Sequence, residues 1–131
     1  MVYMQRALEL AKEAVGISSP NPPVGAVLVK DGQIVGEGHT LPPGQAHAEI
    51  IAITQAGIAA NGSSLYTTLE PCCHFGKTPP CTRQIIEAGI KEVHVAFIDP
   101  NPLVDGKGID ELRNAGISIH VDRVDQESAE I

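Results

Sequence analysis

The chain has 131 residues, of which 43% are hydrophobic and 19% charged, so it can bury a core and fits one domain. Nine basic against sixteen acidic residues give a net charge of −7, and only 3% of residues are aromatic. This balance excludes a nucleic-acid groove built from cations and stacking rings, and also a basic helix on a membrane surface. No run approaches the ~18 apolar residues of a membrane span, and charges interrupt the N-terminal stretch where a signal peptide needs an apolar core. We therefore expect a cytoplasmic protein.

Hydrophobic periodicity and turn residues predict alternating helices and strands along the chain. Helical segments have apolar residues at i, i+3 and i+4, whereas strand segments are short and either β-branched or alternating. Asp31-Gly32 is typical of a tight hairpin turn. In chain order we predict a helix over 4–15, strands over 24–29 and 33–37, a loop over 39–46, a helix over 47–56, a strand over 64–69, a loop over 70–80, a helix over 81–88, a strand over 92–98, a helix over 110–115 and a strand over 117–121. This order indicates an α/β fold with helices on both faces of a sheet.

Residue types that bind zinc lie near the starts of predicted helices. His47 opens one helix, Cys72 follows a strand, and Cys81 opens the next helix nine positions later. One imidazole and two thiolates suit Zn²⁺, and three protein ligands leave a fourth position open, as in catalytic zinc sites. We therefore expect His47, Cys72 and Cys81 to be the zinc ligands. Glu49 is not needed as a ligand, and its carboxylate is the natural proton shuttle beside a zinc-bound water.

A closed structural zinc site is the main alternative from the same residues. Cys73 or His74 could supply a fourth ligand, and Glu49 would then be a charge on a helix surface. Structural zinc sites usually contain paired C-x₂₋₄-C segments, which this sequence lacks. Cysteines buried simply as small hydrophobic side chains would not explain their proline-rich surroundings.

The H-x-E motif followed by P-C is similar to the motif of zinc deaminases, in which a second cysteine follows in C-x-x-C. Here the second cysteine lies nine residues on, in the stretch TLEPCCHFGKTPPC over residues 68–81. This stretch resembles the deaminase domain of the RibD family of riboflavin biosynthesis. The resemblance continues in PNPPVG over 20–25, HAE over 47–49, DPNP over 99–102 and GKGI over 106–109. It covers nearly the whole chain, in order.

The resemblance implies a fold, a reaction and a set of site residues. The implied fold is the cytidine deaminase-like three-layer α/β/α sandwich, with a central mixed sheet of about five strands. The implied reaction is hydrolytic deamination of 2,5-diamino-6-ribosylamino-4(3H)-pyrimidinone 5′-phosphate to 5-amino-6-ribosylaminouracil 5′-phosphate. The same ligands and proton shuttle are implied, together with substrate-binding residues Asn21, His39, His74, Lys77, Asp99 and Asn101.

RibD proteins usually carry a reductase domain as well, and this sequence contains no segment for it. We therefore expect a single zinc-dependent deaminase domain over residues 1–131. The expected partners are a small phosphorylated pyrimidine and further copies of the same chain in a homo-oligomer. Nucleic acid and membrane are not expected partners.

Several residues also have ordinary structural explanations. Asn21 lies between prolines, where turns are common, and Lys77 could be a solvated loop cation. Asp99 and Asn101 follow a strand end, where α/β sheets bind ligands, but Asp-Pro-Asn-Pro is also a good turn sequence. The histidines on the polar side of two alternating strands are expected to be structural: His94 and His120.

Two other functions stay open at this point. A deaminase of cytosine, guanine or tRNA adenosine would ordinarily keep C-x-x-C, and the tRNA enzymes need a cationic surface. A zinc-stapled binding module without chemistry belongs to a different class of protein. Release of ammonia from a substrate distinguishes an enzyme from such a module.

Overall fold

Alternating helices and strands build one mixed sheet in the computed structural model, which describes residues 2–16, 23–41, 47–71, 81–97 and 106–121. In chain order the elements are helix α1 (Val2–Ala14), strands β1 (Gly25–Lys30) and β2 (Gln33–His39), helix α2 (Ala48–Ala56) with a 3₁₀ turn (Gly57–Ala60), strand β3 (Ser64–Leu69), helix α3 (Cys81–Glu87), strand β4 (Glu92–Phe97), helix α4 (Lys107–Asn114) and strand β5 (Ser118–Val121). Each of these elements except the 3₁₀ turn was predicted from the sequence. None of the helices in the described ranges is long and apolar enough to cross a membrane.

Two bounds differ from the sequence prediction in ways that concern the site. His39, predicted to begin a loop, is the last residue of β2, where it pairs with Gly25 of β1. Helix α4 begins at Lys107 and not at Asp110. The greater part of the predicted loop over 39–46, residues 42–46, lies outside the described residues, as does most of the loop over 70–80.

The sheet has the strand order β2-β1-β3-β4-β5. Strand β1 runs antiparallel to both β2 and β3, whereas β3, β4 and β5 are parallel. The hairpin between β1 and β2 turns at Asp31 and Gly32, whose φ angles of 52° and 75° are the left-handed values of a two-residue hairpin turn. Helices α3 and α4 make the crossovers between the parallel strands.

Helices cover both faces of the sheet. On one face, α2, α3 and α4 pack their apolar side chains against a core that includes Leu28, Leu65 and Val93. On the other face, α1 packs against Val27 and its neighbours. Adjacent strand residues point to opposite faces, so Leu28 and Val27 serve different cores. The predicted three-layer α/β/α sandwich with a mixed five-stranded sheet is confirmed.

Candidate functional site

The starts of α2 and α3 bring an imidazole and a thiol together. His47 precedes α2 in an extended conformation, and its carbonyl oxygen accepts hydrogen bonds from the backbone N–H groups of Ile50 and Ile51. Cys81 is the first residue of α3 and is 1% exposed. The His47 Nδ1 atom lies 3.1 Å from the Cys81 Sγ atom, although the two residues are 34 positions apart. The two helix starts therefore bring these two side chains into contact, and their role as zinc ligands stays a prediction.

Glu49 is a buried carboxylate in the first turn of α2. Only 4% of the residue is exposed, which is rare for glutamate and requires polar surroundings. The N-terminal end of a helix favours a negatively charged group, because the backbone N–H groups of the first turn point out of that end. The structure thus places the predicted proton shuttle inside the protein, two residues from His47.

The end of β2 lies beside the same helix start. A side chain at Gly38 would collide with the Ala48 carbonyl oxygen, so only glycine lets β2 approach α2 this closely. His39 follows Gly38 and is partly buried. Its Nδ1 atom donates a hydrogen bond to the Thr40 carbonyl oxygen over 3.1 Å. This donation leaves Nε2 as the acceptor atom of a neutral His39 ring.

Glu70 is a buried carboxylate close in sequence to the predicted ligand Cys72, and sequence reasoning missed its role. It follows β3 and is 3% exposed. Its carboxylate accepts backbone hydrogen bonds from Gly106 over 2.8 Å and from Ile109 over 3.1 Å. Since Gly106 has no side chain to cap α4, Glu70 caps that helix from 36 positions earlier in the chain. The sequence contained a signal for this role, namely an acidic residue directly after a buried strand. A buried carboxylate needs hydrogen-bond donors or a positive charge beside it.

The packing of α4 also positions the backbone just before Cys72. A Cβ atom at Gly108 would collide with the Pro71 carbonyl oxygen, so α4 packs directly on that peptide. The Glu70 backbone N–H also donates to the Phe97 carbonyl oxygen over 2.9 Å. Contacts with β4 and α4 therefore position Glu70 and Pro71. The predicted ligand Cys72 directly follows these two residues in the sequence.

The remaining predicted site residues lie outside the described part of the chain. They are the ligand Cys72 and the substrate-binding candidates Asn21, His74, Lys77, Asp99 and Asn101. Their roles stay predictions. The structure brings together His47 and Cys81, buries Glu49 in the adjoining helix turn, and places His39 at the neighbouring strand end.

Comparison with known proteins identifies the family. Residues 1–97 match the family model of the cytidine and deoxycytidylate deaminase zinc-binding region. A diaminohydroxyphosphoribosylamino-pyrimidine deaminase from Buchnera aphidicola is 52% identical over 126 residues, which cover 96% of this chain and 86% of that protein. The chain belongs to the RibD-type deaminases of the cytidine deaminase family. The resemblance read from the sequence is confirmed.

Larger RibD-type proteins match as well. The RibD protein of Aquifex aeolicus is 56% identical over 129 residues, covering 98% of this chain and 36% of that protein. The solved structure of Acinetobacter baumannii RibD superposes with a TM-score of 0.94 at 49% identity, covering 98% of this chain and 36% of that one. The chain thus spans about a third of the length of these two relatives.

Proposed function

We propose that this chain is a zinc-dependent deaminase that hydrolyses the amino group of 2,5-diamino-6-ribosylamino-4(3H)-pyrimidinone 5′-phosphate and releases ammonia. The observation that carries the proposal is the 3.1 Å approach of His47 Nδ1 to Cys81 Sγ at two helix starts. This pair occurs in a chain that is 52% identical to a protein named for this deaminase activity and covers 86% of it. Residues 1–131 act as one deaminase unit in this proposal.

The residues present fit a zinc ion. Zn–N and Zn–S bonds of about 2.1 and 2.3 Å require two such ligand atoms to lie within about 4.4 Å of each other. The 3.1 Å between His47 Nδ1 and Cys81 Sγ satisfies this limit. Cys72 is the proposed third ligand, since it follows the fixed Pro71 peptide. A zinc ion held by three protein ligands lowers the pKa of a bound water towards ~7.

Glu49 moves the protons of the reaction. Its carboxylate accepts a proton from the attacking water and then delivers protons to the ring nitrogen and to the leaving amine, which departs as ammonia. Burial of Glu49 strengthens its interaction with the groups it serves, because few water molecules compete with them. One water is consumed and one ammonia is released. The bond between the ring carbon and the exocyclic amine breaks, and a carbonyl forms at the same carbon.

A test of the proposal measures ammonia release from the phosphorylated substrate. Glu49→Gln should lower turnover by at least about 10²-fold, the smaller end of what acid–base catalysis contributes, while keeping the bound zinc. The matched control is Glu87→Gln, which changes an exposed carboxylate on α3 and should keep turnover and zinc. Normal turnover in Glu49→Gln would overturn the assignment of the shuttle. Release of ammonia only from cytosine, guanine or tRNA adenosine would assign another deaminase, and no release from any of them would favour a binding module.

The phosphate of the substrate requires a local cation in a chain of net charge −7. We propose that Lys77 supplies it. A charge-assisted contact contributes about 1.5–3 kcal/mol, so Lys77→Ala should lower kcat/KM roughly ten- to a hundredfold on the phosphorylated compound. On the dephosphorylated riboside the same change should have little effect. An equal loss on both compounds would show that Lys77 serves the base or the loop and not the phosphate.

A further inference from the structure

A second group of side chains of the types that bind metals lies on the sheet face opposite α2 and α3. Glu92 and His94 lie on β4, and His120 lies on β5 directly beside His94 in the strand register. Their neighbours Val93 and Val95 point into the core under α2, α3 and α4. Since side chains alternate along a strand, the three polar side chains share the other face. This group is separate from the helix starts that hold His47 and Cys81.

The spacing of the three side chains matches common ligands of one ion better than it matches hydrogen bonds. The Glu92 Oε2 atom lies 3.4 Å from His120 Nε2 and 3.7 Å from His94 Nε2. An N–H···O hydrogen bond in proteins spans about 2.7–3.2 Å, so both distances are too long. Two ligands at about 2.1 Å from a tetrahedral zinc ion are separated by about 3.4 Å. One potential ligand atom from each residue lies within 4.8 Å of the other two.

The Glu92 carboxylate is already oriented for such a role. Its Oε1 atom accepts a hydrogen bond of 2.6 Å from the Ser64 hydroxyl, and its Oε2 atom faces both imidazoles. This hydrogen bond holds the pKa of the Glu92 carboxyl below its usual range, against the opposing effect of partial burial. Carboxylate ligands in proteins are commonly fixed by an outer hydrogen bond of this kind.

Stacking holds the two imidazole rings side by side. Tyr66, His94 and His120 lie in register across β3, β4 and β5. The rings of Tyr66 and His94 stack at a centroid distance of 4.3 Å, and those of His94 and His120 at 4.7 Å. The planes of His94 and His120 are only 20° apart, so the half-exposed His120 ring must turn about its Cβ–Cγ bond for both Nε2 atoms to bind one ion.

We propose that Glu92, His94 and His120 form a second zinc site on the β4–β5 surface. Two imidazoles and one carboxylate form a donor set that Zn²⁺ accepts with an open fourth position, whereas Mg²⁺ and Ca²⁺ prefer oxygen ligands. A zinc ion there ties β5 to β4 through side chains. Strand β5 has four residues and lies at the edge of the sheet formed by the described strands, where β4 is its neighbour. The site therefore secures the edge of the parallel half of the sheet.

Calorimetric titration with zinc chloride tests this site. The chain of residues 1–131 is first loaded with one zinc per chain, and then titrated further. The wild-type chain should bind one additional equivalent, and His120→Ala or Glu92→Gln should weaken that binding at least about tenfold. His120 is suited to substitution because half of its side chain is exposed, and Glu92→Gln keeps an oxygen that can accept from Ser64. The control Glu87→Gln removes an exposed carboxylate elsewhere and should leave the second equivalent unchanged.

Cobalt and thermal unfolding separate this site from the cysteine-containing one. Because the proposed ligands include no sulfur, a second equivalent of Co²⁺ should add no thiolate-to-metal absorption. The second zinc equivalent should also raise the Tm of the wild-type chain more than that of His120→Ala, since unfolding separates β4 from β5. The proposal is overturned if the wild-type chain binds one zinc only, if His120→Ala binds the second equivalent as tightly as wild type, or if thiolate absorption rises with the second cobalt.

Discussion

Two regions of this molecule carry histidines with potential metal ligands, and they are built differently. The helix-start site, composed of His47, Glu49 and Cys81, is fixed by the first turns of α2 and α3. The strand cluster, composed of Glu92, His94 and His120, is fixed by strand register. Cys81 is 1% exposed, whereas the His120 side chain is 50% exposed. Buried groups lose more when a partner is removed, so substitutions should have larger effects in the helix-start site.

The largest expected effect tests the ligands of the helix-start site. In protein loaded with one zinc per chain, Cys81→Ser and His47→Ala should each remove the zinc bound at the helix-start site and all measurable ammonia release, because each removes one of three proposed ligands. Zinc content by elemental analysis and ammonia release by a coupled assay measure the two effects. His39→Ala serves as the matched histidine control and should keep its zinc, since His39 donates to the Thr40 carbonyl oxygen. Near-normal zinc content in Cys81→Ser would remove Cys81 from the ligand set.

An intermediate effect is expected from Glu70, which caps α4 and lies two residues before the predicted ligand Cys72. Glu70→Ala should lower the free energy of unfolding by about 3 kcal/mol, because the buried N–H group of Ile109 and the partly buried N–H group of Gly106 lose a charged acceptor. Glu70→Gln keeps one acceptor oxygen and should lose about half as much. Urea unfolding of zinc-loaded protein gives these values, and zinc competition with a chelator should show weaker zinc binding in Glu70→Ala.

The control for Glu70 is Glu9→Gln, which changes a largely exposed carboxylate on α1. It should leave both stability and zinc affinity unchanged, because exposed ion pairs contribute little. Loss of stability in Glu70→Ala without any change in zinc affinity would show that Glu70 caps α4 but does not position Cys72.

Local sequence patterns predicted most of the secondary structure. Of the two regions, they pointed to the helix-start site but not to the strand cluster. The apolar spacing in α1 and the Asp31-Gly32 turn depend on neighbouring residues, so the sequence shows them directly. The helix-start site was predicted because His47 and Glu49 lie on one turn and the cysteines carry recognisable zinc chemistry. Burial of Glu49 followed from the structure, because it depends on how α2 packs against the sheet.

Contacts between distant segments account for what the sequence did not show. The predicted start of α4 was Asp110, but the helix begins at Lys107, where Glu70 caps it from a distant part of the chain. Its first turn thus includes Gly108, a poor helix former. The strand cluster depends on β5 lying beside β4 in a register that places His120 next to His94. That register follows from the crossover through α4 and has no local signal. The prediction that these two histidines are only structural is what the zinc titration tests.

The smallest expected effect lies in the strand cluster and concerns Ser64. Ser64→Ala removes the hydroxyl that donates to Glu92, so the pKa of the Glu92 carboxyl should rise towards its usual value. A carboxyl whose pKa is lowered by folding contributes stability at neutral pH and loses that contribution as the pH falls through its folded pKa. The wild-type advantage over Ser64→Ala should therefore be about 1 kcal/mol or less at pH 7 and should shrink below about pH 4. Carbon-detected NMR titration of Glu92 and urea unfolding at pH 7 and pH 3 measure both quantities.

An advantage that grows in acid would reverse the sign of the argument, and an unchanged Glu92 pKa would assign the shift to the neighbouring imidazoles and Lys91 instead. Zinc bound by the helix-start site should stay the same in Ser64→Ala, since the two regions lie on opposite faces of the sheet.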